Sequence, residues 1–405
     1  MKNLLILTSS FPFSKGDYHG NFVYYHALGE ARLGYEVHVL CPHIPGTPFE
    51  ETMDGVRVHR FPYFYPYHLQ KVASDTGMYS GVTNSKLALF QLPFFMLAEL
   101  VFAHKLIRRY HIDIIHSHWI IPQGFTGTIC KKIWHIPLIV SSHGPDVQLF
   151  EKWKELKPLL CWSASRADIL TANSSFTKNA LENLVTLNNP CIVIPMGVQP
   201  VPLTNTERKT DSPQILFVGR LIEWKGTDTL IRAMVHVIKK RPESILNIVG
   251  EGPEHGTLVH LSRELDITQH IRFLGPLKNE ALEKMFAHAS VLVLPSRPFC
   301  GIVMEGLGVV VLEAMSHGVP VIGSNGGGIT DIIEDGYNGF LVPYDDDAIL
   351  AEKILTITGD DELRETFRRH GFETVKEKFS WDAISRQFSE VYDQLPDRPS
   401  RENAP

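Results

Sequence analysis

Residues 215–240 read ILFVGRLIEWKGTDTLIRAMVHVIKK, and this stretch sets the fold class. Ile215 to Gly219 is a short β-rich run, Arg220 to Gly226 is a turn with charged residues, and Asp228 to Lys240 repeats apolar residues at helical spacing. Strand, loop and helix in that order form the opening half of a βαβ unit, the building block of a parallel sheet. The alternation continues in both directions. Downstream, β-rich runs fall at Ile245–Val249, Ile271–Leu274, Val291–Leu294, Val319–Gly323 and Phe340–Val342, with helical patterns at Asn279–His288 and Ala348–Thr358. Upstream they fall at Leu4–Leu7, Glu36–Cys41, Val56–Phe61, Ile112–His116, Leu138–Ser141, Asp168–Thr171 and Cys191–Ile194. Pro195 to Pro213, rich in Pro and Thr and without apolar periodicity, separates the two sets as a linker. The expected architecture is α/β: a first doubly wound domain over 1–194, the linker 195–213, a second doubly wound domain over 214–378, a helix over 379–395, and a polar tail, 396–405, expected to be disordered. Open parallel sheets bind ligands beyond the carboxyl ends of their strands, so two such domains are expected to face each other across a cleft lined by those ends.

The composition agrees with a folded, water-soluble protein of two or three domains. Of 405 residues, 44% are apolar and 21% charged, and the net charge is -6. That charge offers no broad positive field, which argues against nucleic acid as a partner. Cys41, Cys130, Cys161, Cys191 and Cys300 are odd in number and lack a C-x2-C spacing, which argues against a disulfide framework or structural zinc and for a reducing cytosol. The start, MKNLLILTS, is too short an apolar run for a signal peptide and reads as a first buried strand. The apolar stretch Leu87–Ala103 is broken by Gln91, Pro93 and Glu99, so no transmembrane helix is expected. Phe61–His68 (FPYFYPYH), which precedes that stretch, is unusually aromatic; it suits either sugar stacking, a lipid-bearing acceptor with the 61–103 region at a membrane surface, or a small core under a long loop.

The residues able to carry chemistry stand just after strands. Arg220 and Lys225, five residues apart beyond one strand, can converge on an anion, and a fork of donors beside a compact charge suits a departing diphosphate without a metal ion. Beyond another strand come Glu305-Gly306-Leu307-Gly308-Val309 and then Glu313. On one continuous helix the two carboxylates would be about 12 Å apart along the axis, too far for a glycosidase pair. The glycines instead suggest a loop that enters a helix at about Leu307, with Glu305 ahead of its N-terminus and free backbone N–H groups from Gly306 to Val309 available to phosphate oxygens. Glu305 and Glu313 can then accept hydrogen bonds from different hydroxyls of one long ligand. His116, His118 and His143 lie at two further strand ends; His116-x-His118 lacks the companions of a metal site, and no metal is expected. Gly250 to Gly256 misses the dinucleotide fingerprint by one residue and contains Pro253, so no nicotinamide cofactor is expected. Asp345-Asp346-Asp347 matches a D-x-D pattern but directly precedes a helical run, where Asp is an ordinary cap.

Taken together, VGRL with Lys225, EGLG with a second Glu eight positions on, LEAM, GVPVI and GGGITDII resemble the donor domain of retaining GT-B glycosyltransferases of family 4, the group 1 glycosyltransferases. IIHSH, SSHGPD, ADILTANSSFT and PMGV extend the likeness over the first half. The resemblance implies two Rossmann-like domains and metal-independent transfer of a sugar, with retention, from a UDP- or GDP-linked donor to a hydroxyl of a glycan, glycolipid or small molecule. It implies that Arg220 and Lys225 bind the diphosphate, Glu305 the donor sugar and Glu313 the ribose. The base is expected against backbone around Leu277, a phosphate or sugar near Gly20, His143 beside the donor sugar at the reaction centre, and His118 on the acceptor side. The turn Gly326–Gly328 has Thr330 and Asp331 where the family often has Pro and Glu, and Gly16–Gly20 lacks the family's adjacent glycine pair. The last helix, Trp381 to Leu395, is expected to cross back to the first domain. The setting implied is cytoplasmic polysaccharide or glycolipid synthesis, at the inner face of a membrane where the acceptor is lipid-linked. The alternatives are a GT-B epimerase or phosphorylase, and a sugar-binding protein without catalysis.

Overall fold

A computed structural model of the chain describes residues 2–17, 20–73, 78, 82, 85–144, 147, 154–187, 189, 191–203, 212–278, 280–299, 302, 303 and 305–396. The polypeptide forms two units, Met1–Gly197 with Trp381–Pro405, and Val198–Ser380.

In the first unit the strands are β1 (Asn3–Leu7), β2 (Glu36–Pro42), β3 (Glu50–Met53), β4 (Val56–Phe61), β5 (Ile114–His118), β6 (Leu138–Ser142), β7 (Ile169–Ala172) and β8 (Cys191–Val193). Their order across the sheet is β3-β4-β2-β1-β5-β6-β7-β8, parallel throughout except that β3 runs antiparallel to β4. Helices α1 (Asn21–Arg32), α2 (Lys86–Tyr110), α3 (Phe125–Trp134), α4 (Lys157–Ala164) and α5 (Ser175–Leu184) belong to this unit, as does α12, introduced below. The continuous apolar run Leu4–Leu7 is fully buried because both faces of the sheet are covered. Alternation divides it: Leu5 and Leu7 join Ile115, Leu138 and Val140 in one core, whereas Leu4 and Ile6 join Ile114, Ile139 and the apolar residues of α1 and α12 in the other. Because Ile114 lies on the second side, the same parity carries His116 and His118 there too.

Helix α2 occupies the apolar stretch that was expected not to span a membrane. Ser85 caps it, its Oγ accepting from Ala88 N–H at 3.2 Å. The residues that interrupt the hydropathy face inward: Gln91 and Glu99 are buried, and Glu99 accepts hydrogen bonds from Gln123 Nε2 (3.0 Å) and Thr126 Oγ1 (2.7 Å). Burial pushes the Glu99 carboxyl up to about 7. By length and composition alone α2 could cross a membrane. In the fold Gln91 is tied to Lys71 N–H (3.0 Å) and the Leu69 carbonyl (2.7 Å) and Glu99 to Gln123 and Thr126, while the opposite stripe, with Phe90, Phe94, Leu97 and Val101, is exposed.

In the second unit β9 (Gln214–Val218), β10 (Ile245–Val249), β11 (Ile271–Gly275), β12 (Val291–Leu294), β15 (Val321–Ser324) and β16 (Phe340–Val342) form a parallel sheet in the order β11-β10-β9-β12-β15-β16. A short antiparallel ribbon, β13 (Pro298–Phe299) with β14 (Ile302–Val303), projects after β12. The helices are α6 (Thr227–Lys240), α7 (His255–Glu264), α8 (Glu280–His288), α9 (Val309–Ser316), α10 (Asp347–Gly359) and α11 (Asp361–Thr374). The aspartate triplet divides its work. Asp346 caps α10 by accepting from Ile349 N–H at 2.9 Å, and Asp345 pairs with Arg297 at 2.8 Å.

Two expected boundaries shift. The units meet at 197/198 and 380/381, because Val198 pairs with Ser380 and donates to the Phe379 carbonyl (2.8 Å), while Val201 donates to the Ser316 carbonyl (3.3 Å). Residues 195–197 of the expected linker thus belong to the first unit and 198–203 are built into the second; residues 204–211 and the tail 397–405 lie outside the described residues. The last helix, α12 (Trp381–Asp393), returns to the first unit, where Trp381 stacks on Tyr25 with centroids 5.9 Å apart.

Candidate functional site

The residues expected to bind the donor in the second unit are carried largely by loops at the carboxyl ends of β9, β12 and β15. After Val218 the chain turns through Gly219 and Arg220 into a short 3-10 turn, Glu223–Lys225, and then α6. Arg220 is exposed and makes no ion pair among the described residues. Lys225 reaches the next loop, where its Nζ lies 2.5 Å from Glu305 Oε2, and Ser296 Oγ donates to the same oxygen at 2.9 Å. The structure therefore brings Lys225 and Glu305 together and leaves the Arg220 guanidinium available beside them in sequence. Ser296 was not singled out from the sequence, although it stands two residues beyond β12, where the same strand-end rule would have found it.

Tight backbone approaches hold these loops in register. Gly226 heads α6 at φ 64°, and a β-carbon there would lie 2.0 Å from the Pro295 carbonyl oxygen. Gly226→Ala is expected to cost the second unit roughly 1–3 kcal/mol, seen as a lowered Tm in scanning calorimetry; an unchanged Tm would remove this clamp from the account. At Gly328 a β-carbon would meet the Gly306 carbonyl oxygen at 2.1 Å, and Gly328 N–H donates to the Glu305 carbonyl at 3.0 Å. The Gly326–Gly328 turn is thereby seated on the Glu305–Gly306 loop.

Gly308, at φ 87°, is the N-cap of α9, so the helix begins at Val309 rather than at Leu307. A left-handed residue cannot continue into a right-handed helix, which moves the start by two positions. Leu307 is buried beneath the turn, and Glu305 stands four residues before the first helical turn, as the glycines suggested. Glu313 lies within α9, half-buried, and desolvation pushes its carboxyl up to about 7. Leu277 follows β11 and is half-buried.

In the first unit, Gly20 is the left-handed N-cap of α1, pressed on the backbone after β1: a β-carbon would sit 2.5 Å from the Ser10 carbonyl carbon. His143 follows β6, half-buried against Phe22 and Trp119, with centroids 4.9 and 5.3 Å away. Its Nε2 is 2.9 Å from His118 Nδ1. Here one expectation is corrected. His118, expected on the acceptor side, is only 2% exposed. Strand β5 extends to residue 118, and the parity set by Ile114 turns His116 and His118 under α1 and α12, where an acceptor cannot reach them. They meet instead two residues the sequence reading did not single out, His26 of α1 and Tyr392 of α12. The pair His26 and Glu30, one helical turn apart on an otherwise apolar face, was the visible signal for part of this cluster. His26, His116 and His118 present ring nitrogens within 4.8 Å of one another, a spacing open to a metal ion as well as to mutual hydrogen bonds.

Two parallel α/β units, each with its informative side chains at strand ends, define the GT-B class of glycosyltransferase. The family description "Glycosyl transferases group 1" matches residues 204–374, and "Glycosyltransferase Family 4" matches residues 19–201. An uncharacterised glycosyltransferase of Methanocaldococcus jannaschii is 32% identical over 71% of this chain and 76% of its own length. The N-acetyl-alpha-D-glucosaminyl L-malate synthase of Bacillus anthracis is 26% identical over 84% of this chain and 89% of its own. Among solved structures, sucrose-phosphate synthase from Thermosynechococcus elongatus superposes with a TM-score of 0.75 at 22% identity, over 97% of this chain and 99% of that one. Anabaena HepE in complex with UDP and glucose gives 0.70 at 19% identity, over 98% of this chain and 100% of that one. The chain belongs to the group 1, family 4 glycosyltransferases.

Proposed function

We propose that this glycosyltransferase moves a sugar from a UDP- or GDP-linked donor to an acceptor hydroxyl with retention of configuration and without a metal ion. The observation that carries this reading is the Lys225–Glu305 pair at the carboxyl ends of β9 and β12, followed by the N-terminus of α9. Lys225 and Arg220 supply the positive charge that a departing diphosphate requires, and a preorganised ammonium and guanidinium perform that task in place of a cation. Glu305, held in place by Lys225 and Ser296, accepts hydrogen bonds from donor-sugar hydroxyls; Glu313 accepts from the ribose; backbone N–H groups at Gly308 and Val309 receive phosphate oxygens, and the loop at Leu277 holds the base. The bond from the anomeric carbon to the phosphate oxygen breaks, the acceptor oxygen bonds to that carbon on the same face, and the acceptor proton passes to the departing phosphate oxygen. Anabaena HepE binds UDP and one Corynebacterium glutamicum relative is named as GDP-mannose-dependent, which supports these two donor classes.

The test is a panel of UDP- and GDP-linked sugars read first by thermal stabilisation and then by nucleotide release with acceptor, in excess chelator. One donor should raise the Tm and turn over undiminished in chelator, and the product anomer should match the donor. Loss of turnover in chelator would reject the metal-independent scheme; an altered sugar formed without acceptor would indicate epimerisation, and consumption of phosphate a phosphorylase.

A lipid-linked acceptor at the cytoplasmic face of a membrane suits the outer stripe of α2. Phe90 and Leu97 are each 60% exposed and Phe94 46%, and the stripe runs on to exposed Lys105, Arg108 and Arg109, the last of them 3.7 Å from Glu50. An apolar stripe continued by basic residues is the composition that seats a helix in the plane of an anionic bilayer. The chain should sediment with phosphatidylglycerol–phosphatidylcholine vesicles and less with phosphatidylcholine alone. The Phe94→Glu/Leu97→Glu double variant should stay in the supernatant with an unchanged Tm; equal sedimentation of variant and parent would reject the contact.

A further inference from the structure

The histidines beneath α1 and α12 form one continuous hydrogen-bonded chain inside the first unit. From His143 Nε2 it passes to His118 Nδ1 (2.9 Å), from His118 Nε2 to His26 Nδ1 (3.1 Å), and from His26 Nε2 to Tyr392 Oη (3.1 Å). It continues from Tyr392 Oη to His116 Nδ1 (2.7 Å), His116 Nε2 to Ser141 Oγ (2.7 Å), and Ser141 Oγ to Thr171 Oγ1 (2.6 Å). Every member after His143 is buried. A neutral imidazole has one N–H donor and one bare nitrogen, so the direction of one link fixes the direction of all the others. Burial keeps the rings neutral, since it lowers each of these histidines well below its ordinary value, His26 and His143 to about 3. The chain therefore has two arrangements. In one, Tyr392 donates toward His26, His26 toward His118 and His118 toward His143, whose own proton then sits on Nδ1. In the other every link is reversed, and that proton sits on Nε2.

Glu30 selects between them. Its carboxyl is buried, neither oxygen has a hydrogen-bond partner among the described residues, and Oε1 lies 3.6 Å from His26 Nε2. An ionised carboxylate in that position would be uncompensated, so the group is held neutral, and burial raises it well above the ordinary carboxyl range. A neutral carboxyl beside His26 Nε2 favours a bare nitrogen there, whereas an ionised one would favour N–H. The neutral form thus polarises the chain toward His143.

We propose that Glu30, His26 and His118 are positioning residues that hold the proton of His143 on Nδ1. The consequence for transfer rests on the proposed transfer reaction and on the place beside the donor sugar that the family resemblance implies for His143; the tautomer itself does not. It follows that His143 is a fixed N–H donor at Nδ1, with Nε2 engaged inward by His118.

Nitrogen-15 NMR of the full chain, with the His143 signal assigned by loss in His143→Ala, reads the tautomer directly. The parent should show a single tautomer protonated at Nδ1. Tyr392→Phe, three hydrogen bonds away and of nearly equal volume, and Glu30→Leu, which removes an unpartnered carboxyl, should each let His143 populate both tautomers, while Glu30→Gln, still a donor, should preserve the parent spectrum. In both disrupting variants kcat should fall roughly 10-fold or more with donor KM little changed, as a misassigned tautomer costs turnover rather than binding. An unchanged His143 spectrum in Tyr392→Phe and Glu30→Leu would overturn the proposal, as would a tightly bound transition metal at one per chain, because the cluster nitrogens would then be ligands. If the spectra change as expected but His143→Ala transfers at the parent rate, the positioning stands and the catalytic assignment of His143 falls.

Discussion

Lys225→Ala should lower kcat/KM for transfer by roughly 10²–10³-fold, the scale set by removing one preorganised donor from a developing oxyanion. The loss has two parts. The variant lacks the cation opposite the departing diphosphate, and it leaves Glu305, only 12% exposed at its side chain, with Ser296 Oγ as its remaining described partner. An unneutralised carboxylate then stands where the diphosphate must arrive and repels it. Glu305→Ala should lower transfer on a similar scale through the lost sugar contact, yet weaken donor binding less, because Lys225 itself is retained. Arg220→Ala, at an exposed position, should act mainly on donor affinity. The double variant Lys225→Ala/Glu305→Ala should cost clearly less than the product of the single losses, since the two side chains act as a unit. Steady-state kinetics with circular dichroism as a fold control settles the matter, and three near-normal rates would remove this site from the enzyme.

The first unit should lose stability steeply in acid. His26, His116, His118 and His143 all have folded pKa values below the ordinary 6.5, so as pH falls through that value the unfolded chain takes up protons that the folded chain refuses. Stability contributed by these four is fully present above pH 6.5 and is lost below it. Glu30 and Glu99 act in the opposite sense, because their raised folded values let the folded state bind protons first until the unfolded carboxyls titrate near 4.5. With four histidines against two carboxyls, the net difference between about pH 6.5 and 4.5 is about two protons, or ~3 kcal/mol per pH unit; below 4.5 the offset ends and the slope approaches ~5 kcal/mol per pH unit. Lowered values at His38, His43 and His59 add in the same direction. Hydrogen exchange read by mass spectrometry at a series of pH values should show residues 2–197 and α12 opening before residues 198–380. In the second unit the raised Glu313 alone predicts a modest loss of stability as pH rises from 4.5 through 7. A flat first-unit protection between pH 7 and 5 would contradict the neutral histidine cluster.

Much of the strand-end arrangement in the second unit was legible in sequence because its logic is local. A buried apolar strand forces the chain to turn at its carboxyl end, so VGRL and Lys225 fell beyond one strand and EGLG beyond another, whatever else the chain did. The glycines announced the N-cap of α9 to within two residues, and the Asp triplet was read correctly as a cap because capping needs only the next three residues. The apolar run 87–103 was more ambiguous. Gln91 and Glu99 interrupt its hydropathy, and only their partners, Lys71 and Leu69 for Gln91 and Gln123 and Thr126 for Glu99, show why a helix of that composition buries them.

The amino-acid sequence by itself determined the two α/β units, their strand-end loops and the membership of the family, since hydrophobic period and turn chemistry are properties of neighbours along the chain. Tertiary structure alone decided that Lys225 pairs with Glu305 across 80 positions and that Tyr392 joins His26 and His116, from 366 and 276 positions away. It also withdrew His118 from the acceptor side, because which face of a strand is covered depends on the helices that the rest of the chain lays upon it. A hydrogen bond needs two groups within about 3 Å, and nothing in the order of residues encodes that distance until the sheet has formed.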